Sequence, residues 1–219
     1  MPPLLLDRDV LAQMCGSTAG AEDGLSGLSS VGLISRVLSP QAGVLAGLKV
    51  HPLVAQTIRY RAGDALPKSL EAAVRLLSAA TGKLKYDDPG QASDWLLLVP
   101  HLRMLLSSDA RLPAEGEASL VNAAARISLG LIWAGSYVAA LAVAESGLTR
   151  GHALAEDHEA VLDLRNRRAA AFQFLGRYQD AEAEYRQVLD AGLRVLGPDH
   201  PDTLATVNWL KHLQRDEDK

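Results

Sequence analysis

The feature that most constrains this chain is that its C-terminal half repeats itself. Slid against itself by 42 residues, the sequence places His158 on His200, Leu162 on Leu204 and Asn166 on Asn208. A neighbouring offset of 41 carries GSYVAA (135–140) onto GRYQDA (176–181), Leu148 onto Leu189 and Gly151 onto Gly192. A period of this length marks stacked supersecondary units, each able to bury its apolar face only against its neighbours. Within one unit the apolar residues recur at helical spacing. Leu162, Ala169, Phe172 and Phe174 fall on one side of Gly176, and Tyr178, Ala181, Tyr185, Val188, Leu189 and Leu193 on the other. Glycine at the break accepts the left-handed conformation that caps a helix without steric cost. The small side chains of Ala170, Ala171 and Ala181 leave room for two helices to approach closely. The unit is a helical hairpin of about 40 residues. Composition agrees: hydrophobic residues make up 48% of the chain but aromatics only 5%, so the core rests on Leu, Ala and Val.

The stretch LGPDHPDTLATVNWL (196–210) poses a choice, since Pro198 to Asp202 packs two prolines, two aspartates and a histidine together. As punctuation it reads completely. Gly197 is a C-terminal helix cap and Pro198 cannot continue that helix. Pro201 suits the first turn of the next one, where its missing N–H costs nothing. Asp199 or His200 caps that helix, and Asp202 sits at the positive end of its dipole. A metal site would need further ligands brought from elsewhere in the fold. The equivalent stretch AEDHEA (155–160) keeps the histidine without the prolines. The reading is punctuation, with no metal and no cofactor.

LGRYQDAEAEYRQVL (175–189) and LGPDHPDTLATVNWL resemble the tetratricopeptide repeat (TPR) in its long form of about 42 residues. The resemblance implies a right-handed superhelix whose concave face, lined by the first helix of each hairpin, takes peptides or protein segments. Trp209 stands where the family usually has a second asparagine, and 117–153 reads as a degraded copy with Ala and Gly in place of acids and aromatics. The polar, charged KHLQRDEDK (211–219) suits a terminal, solvent-facing helix and tail.

Further upstream, PKSLEAAVRLLSAATG (67–82) reads as a helix with the stripe Leu70, Val74, Leu77 and Ala80. ASDWLLLVPHLRMLLSS (92–108) reads as another, capped by Ser93 or Asp94, kinked by Pro100 and buried on most sides. His101 within it is expected to be packed. Residues 1–65 differ. A short helix (LLDRDVLAQMC), a weaker one (EDGLSGLSSVG), two strands (LISRVL and GLKV) around SPQAG, and a helix opened by His51 and Pro52 follow in the order of a winged-helix core. This segment, with VHPLVA and DWLLLVPHLRMLL, resembles the part that follows the nucleotide-binding core in actinobacterial NB-ARC-type (STAND) signalling ATPases. In that family the histidine of VHPL faces the β-phosphate of bound ADP, so the resemblance makes His51 the nucleotide-sensor position. No G-x-x-x-x-G-K-[ST] phosphate loop occurs.

The expected fold is therefore mainly α: a TPR-like right-handed solenoid of helical hairpins over 66–219, preceded by a small winged-helix-like α+β segment over 1–65. The solenoid divides into an irregular first hairpin at 66–110, repeats at about 117–156 and 158–197, and a capping helix at 200–215. Net charge is −4, and 1–68 carries six Lys/Arg against five acids, which gives little attraction for nucleic-acid phosphate. The single cysteine, Cys15, excludes an intrachain disulfide and fits a reducing cytosol. No apolar run approaches the 18 residues a membrane span needs. No G-x-S-x-G context supports a hydrolase triad, and His152 and Glu156 at i, i+4 straddle an expected turn.

Function then points to a non-enzymatic, cytoplasmic protein–protein interaction module. Asn166 and Asn208 recur at the repeat period and, by the resemblance, face the concave groove, where a carboxamide can clamp a peptide backbone through donor and acceptor at once. Arg165, Arg168 and Lys211 on the same helices would favour acidic ligands. Two other readings stand beside this one. In the first, the chain is the sensor-and-arm part of a split signalling ATPase docking on a separate nucleotide-binding chain. In the second, it is a winged-helix DNA-binding regulator. An exposed start of the solenoid would favour self-association or docking.

Overall fold

The computed structural model describes residues 34–38, 45–50 and 66–217, with a few further positions between 19 and 30. The chain divides into two compact units, Met1–Leu76 and Leu77–Lys219. In the first, strands β1 (Ile34–Leu38) and β2 (Leu45–Val50) pair antiparallel, from Ile34 opposite Val50 to Leu38 opposite Leu45. The register shifts between Val37 and Leu38, the local mark of a bulge. Helix α1 (Leu66–Lys83) begins in the first unit and ends in the second. It buries Leu70, Val74 and Leu77, three of the four residues of the expected stripe. Of the other helices expected before residue 66, the one over EDGLSGLSSVG has Asp23, Ser26, Gly27, Ser29 and Ser30 described, each helical, and the remaining two lie outside the described residues.

The second unit is a TPR-like helical solenoid, and the fold as a whole is mainly α. After a short 3-10 turn (Pro89–Gln91) come α2 (Ala92–Leu106), α3 (Ala114–Trp133), α4 (Tyr137–Gly151), α5 (Glu159–Phe174), α6 (Tyr178–Val195) and α7 (Pro201–Glu217). α3 with α4, and α5 with α6, form the two hairpins. The hairpins stack through α3 and α4 against α5, α2 packs on the first of them, and α7 packs on α6 and α5. No helix among the described residues is long and apolar enough to cross a membrane.

The hairpin turns show why the period is visible in the sequence. Gly135 (φ +72°) and Gly176 (φ +76°) sit one offset apart and occupy the left-handed region. Around each, the same pair of bonds closes the first helix. Gly135 N donates to Ile132 O (3.0 Å) and Ser136 N to Leu131 O (2.8 Å). Gly176 N donates to Gln173 O (3.0 Å) and Arg177 N to Phe172 O (2.9 Å). This is the Schellman arrangement, which satisfies the last carbonyls of a helix and turns the chain back. The Pro198–Asp202 stretch acts as punctuation. Gly197 takes φ +90°, Pro201 opens α7, and the imidazole Nδ1 of His200 accepts from Asp202 N at 3.3 Å. His158, one period earlier, caps α5 the same way, with Nδ1 accepting from Ala160 N at 3.2 Å.

Two expectations for α2 need correction. Its N-cap is Gln91, with no side-chain cap bond, while Ser93 and Asp94 lie inside the first turn. The polar bonds of this entry belong to the preceding turn, where Asp88 accepts from Gly90 N (2.9 Å) and from the Gln91 amide (2.8 Å). Nor is α2 buried on most sides. Trp95, Leu98, His101, Leu102 and Leu105 face inward, while Leu96, Leu97 and Met104 are exposed. Its apolar content exceeds what one packed face can hide.

Close approach explains two glycines that a helix would otherwise replace. A Cβ on Gly130 of α3 would stand 2.2 Å from the Trp95 ring, so α2 seats its indole directly on the α3 backbone. On Gly147 of α4 it would meet Leu164 at 2.7 Å and Ala124 at 2.9 Å, where α3, α4 and α5 converge. A buried ion pair fixes the α2–α3 connection. Arg150 near the end of α4 bonds both oxygens of Glu117 (2.7 and 2.6 Å) and also donates to the carbonyls of Ser108 and Ala110. Glu117 also accepts from Leu112 N at 3.0 Å.

Candidate ligand groove

The residues singled out in the sequence separate into three environments. Asn166, on α5, is buried at 4% exposure. Its amide donates to Thr206 Oγ1 of α7 at 2.9 Å, and that hydroxyl reaches Asp202 O at 2.8 Å. The carboxamide expected to meet a ligand is thus occupied in joining successive first helices of the solenoid. Asn208, one period on, is exposed.

Arg165 and Arg168 also turn away from Asn208. Both donate to one carboxylate oxygen of buried Glu184 on α6, each at 2.7 Å, and Arg165 also donates to the side-chain Oε1 of Gln187 at 2.7 Å. They line a cavity of about 540 Å³ with Glu145, Thr149, His152 and Glu156, a different place from the Asn208 surface. Two guanidinium charges face three carboxylates there, Glu184 included, so the arginines supply no positive field to the groove. Lys211 is exposed on α7. His51 lies outside the described residues.

What the structure assembles around Asn208 is a cleft of about 460 Å³ between the end of α5 and the middle of α7. Gln173 and Phe174 form one wall, and Ala205, Asn208, Trp209 and His212 the other. Each wall has a reason for its position. Phe174 is the last residue of α5 and stacks on Tyr137 at 5.0 Å with planes 8° apart, so its ring stays on the surface instead of folding into the core. Trp209 stacks on buried Tyr185 at 6.5 Å, 5° from parallel. Burial pushes the Tyr185 phenol well above its ordinary range, against the opposing pull of the Arg167 guanidinium. A third aromatic pair, Tyr86 with Trp133, stands exposed at the end of α3 with centroids 5.7 Å apart. Trp133 and Phe174 are equivalent across the 41-residue offset, so each hairpin presents an aromatic ring where its first helix ends.

Sequence reasoning missed Gln173, Phe174, Trp209 and His212 as groove residues. The signal was available in part: Trp209 interrupts the asparagine pattern of the repeat, and the Trp133–Phe174 match lies in the same register as the glycines.

The comparison with known families agrees with this architecture. A tetratricopeptide repeat family model matches residues 161–202, which covers most of α5, all of α6 and the start of α7. No curated protein shows a significant match to the chain. Tetratricopeptide repeats are an interaction fold, and the matched segment carries one wall of the cleft, Gln173 and Phe174.

Proposed function

We propose that the chain is a non-enzymatic protein–protein interaction module that holds an extended peptide or partner segment in the cleft between α5 and α7. One observation carries this reading: the cleft sets the exposed carboxamide of Asn208 beside the apolar rings of Phe174 and Trp209. Rings supply desolvated area for a side-chain anchor, while carboxamides bond a peptide backbone without selecting its side chains. Lys211 and His212 on the same helix are exposed and favour a ligand with an acidic residue beside the anchor. Affinity in such a site comes from a few anchors on a preformed surface, not from total area. The resemblance of the N-terminal third to signalling ATPases is the support for reading the module as regulatory.

The test is a selection of displayed peptides on the full chain, followed by affinity measurement of the winners against two variants. Asn208→Ala removes the backbone clamp, and Ala205→Trp fills the cleft. Each is expected to weaken binding at least about tenfold. Winners that bind both variants as tightly as the parent would refute the cleft as the working surface.

A further inference from the structure

A metal at Pro198–Asp202 needs a further ligand from elsewhere in the chain. The fold supplies one. Glu159, the first residue of α5, comes together with His200 and Asp202 at the start of α7, their ligand atoms all within 4.8 Å of one another. His200 Nδ1 lies 3.8 Å from Asp202 Oδ2, and all three side chains reach solvent. Among the described residues this is the one such grouping of His, Cys, Asp or Glu; the His152, Glu156, Asp157 and His158 stretch makes none.

We propose that Glu159, His200 and Asp202 bind one divalent transition-metal ion, with zinc the best fit, and so pin the start of α7 to the start of α5. The ligand set decides the class of ion. One imidazole and two carboxylates on a surface with open positions suit zinc, which takes nitrogen and oxygen donors in a tetrahedral arrangement completed by water. Calcium requires six to eight oxygen ligands, more than three side chains provide. Tetrahedral ligands at about 2.1 Å from zinc stand about 3.4 Å apart, so the exposed side chains must close by about an ångström. The imidazole is ready for this. Its Nδ1 already presents a lone pair, used only in a 3.3 Å bond from Asp202 N, and the metal takes that lone pair instead. Two helix N-termini oppose a cation here, and the two carboxylates offset them. The consequence is mechanical. α7 carries Asn208 and Trp209, so an ion that fixes its first turn also orders one wall of the cleft.

The experiment uses the full chain, stripped with chelator and titrated with zinc chloride by calorimetry, with calcium chloride in parallel. Thermal unfolding is followed with and without zinc. Glu159→Gln removes one ligand, and His200→Asn removes the imidazole while keeping a residue that caps α7 well. Circular dichroism at matched helicity establishes that both variants fold. The expected result is one saturable zinc site, a rise in Tm with zinc, little response to calcium, and zinc binding at least about tenfold weaker in each variant. The proposal is overturned if zinc shows no saturable binding below about 100 µM. It is equally overturned if both variants keep the parent's affinity, or if calcium binds as tightly as zinc.

Discussion

Replacing Tyr185 by phenylalanine removes a single oxygen, and the structure assigns that oxygen a cost. Tyr185 is fully buried, and its hydroxyl has no hydrogen-bond partner. In the unfolded chain the same hydroxyl is satisfied by water. A buried, unsatisfied donor costs about 1–3 kcal/mol, while the ring, its stack on Trp209 and its packing survive the substitution. The variant should therefore be more stable at neutral pH by about 1 kcal/mol, a rise of roughly 2–4 °C in Tm for a domain of this size. The pH dependence tests the same reasoning independently. Burial raises the phenol's pKa in the folded state above its unfolded value near 10. Below pH ~10 both states hold the proton and the group adds no slope. Above it the unfolded chain ionises first, so stability falls as pH rises, by up to about 1.4 kcal/mol per unit. Phenylalanine lacks that slope, and the gap between the two proteins should widen between pH 10 and 11. Urea unfolding followed by circular dichroism at pH 7, 10 and 11 measures both effects. A variant less stable than the parent at pH 7, or one with the parent's alkaline slope, would sink the argument by showing that the hydroxyl is bonded or wet.

Two further substitutions probe the packing that positions the groove. Gly130→Ala places a methyl 2.2 Å from the Trp95 ring and should cost about 1–3 kcal/mol or more in urea unfolding, although alanine is the better helix former. A stability within 0.5 kcal/mol of the parent would show that α2 moves aside freely. Arg150→Met leaves Glu117 charged in a buried position and strips the Ser108 and Ala110 carbonyls of their donor, at about 3–5 kcal/mol. Adding Glu117→Gln should recover part of that loss, and strictly additive single and double variants would contradict the coupling.

The repeat was legible because its grammar is local. Gly135, Gly176 and Gly197 mark left-handed caps that few other residues tolerate, and His158 and His200 cap helices by bonds to a backbone two residues away. Such features depend on neighbours in sequence, so they recur at the period of the fold. The apolar stripe of α1 and the hairpin of β1 and β2 were readable for the same reason. The groove residues were not. Asn166 and Asn208 occupy equivalent positions, yet one is buried against Thr206 and the other is exposed. The difference lies in which helix stacks on each, and no local pattern contains that.

By itself the sequence determined that the C-terminal half would be helical hairpins of about 40 residues, that two helices would stop at Gly176 and Gly197, and that Leu and Ala would form the seam. Only the tertiary structure decided which polar residues remain free to work. It joined Arg165 and Arg168 to Glu184, 19 and 16 residues away, and Asn166 to Thr206, 40 away. It also left Phe174, Asn208 and Trp209 open around one cleft and brought Glu159 to His200. Side-chain partners across a stacked interface are set by how whole helices dock, and docking sums over many weak contacts that no single stretch of chain contains.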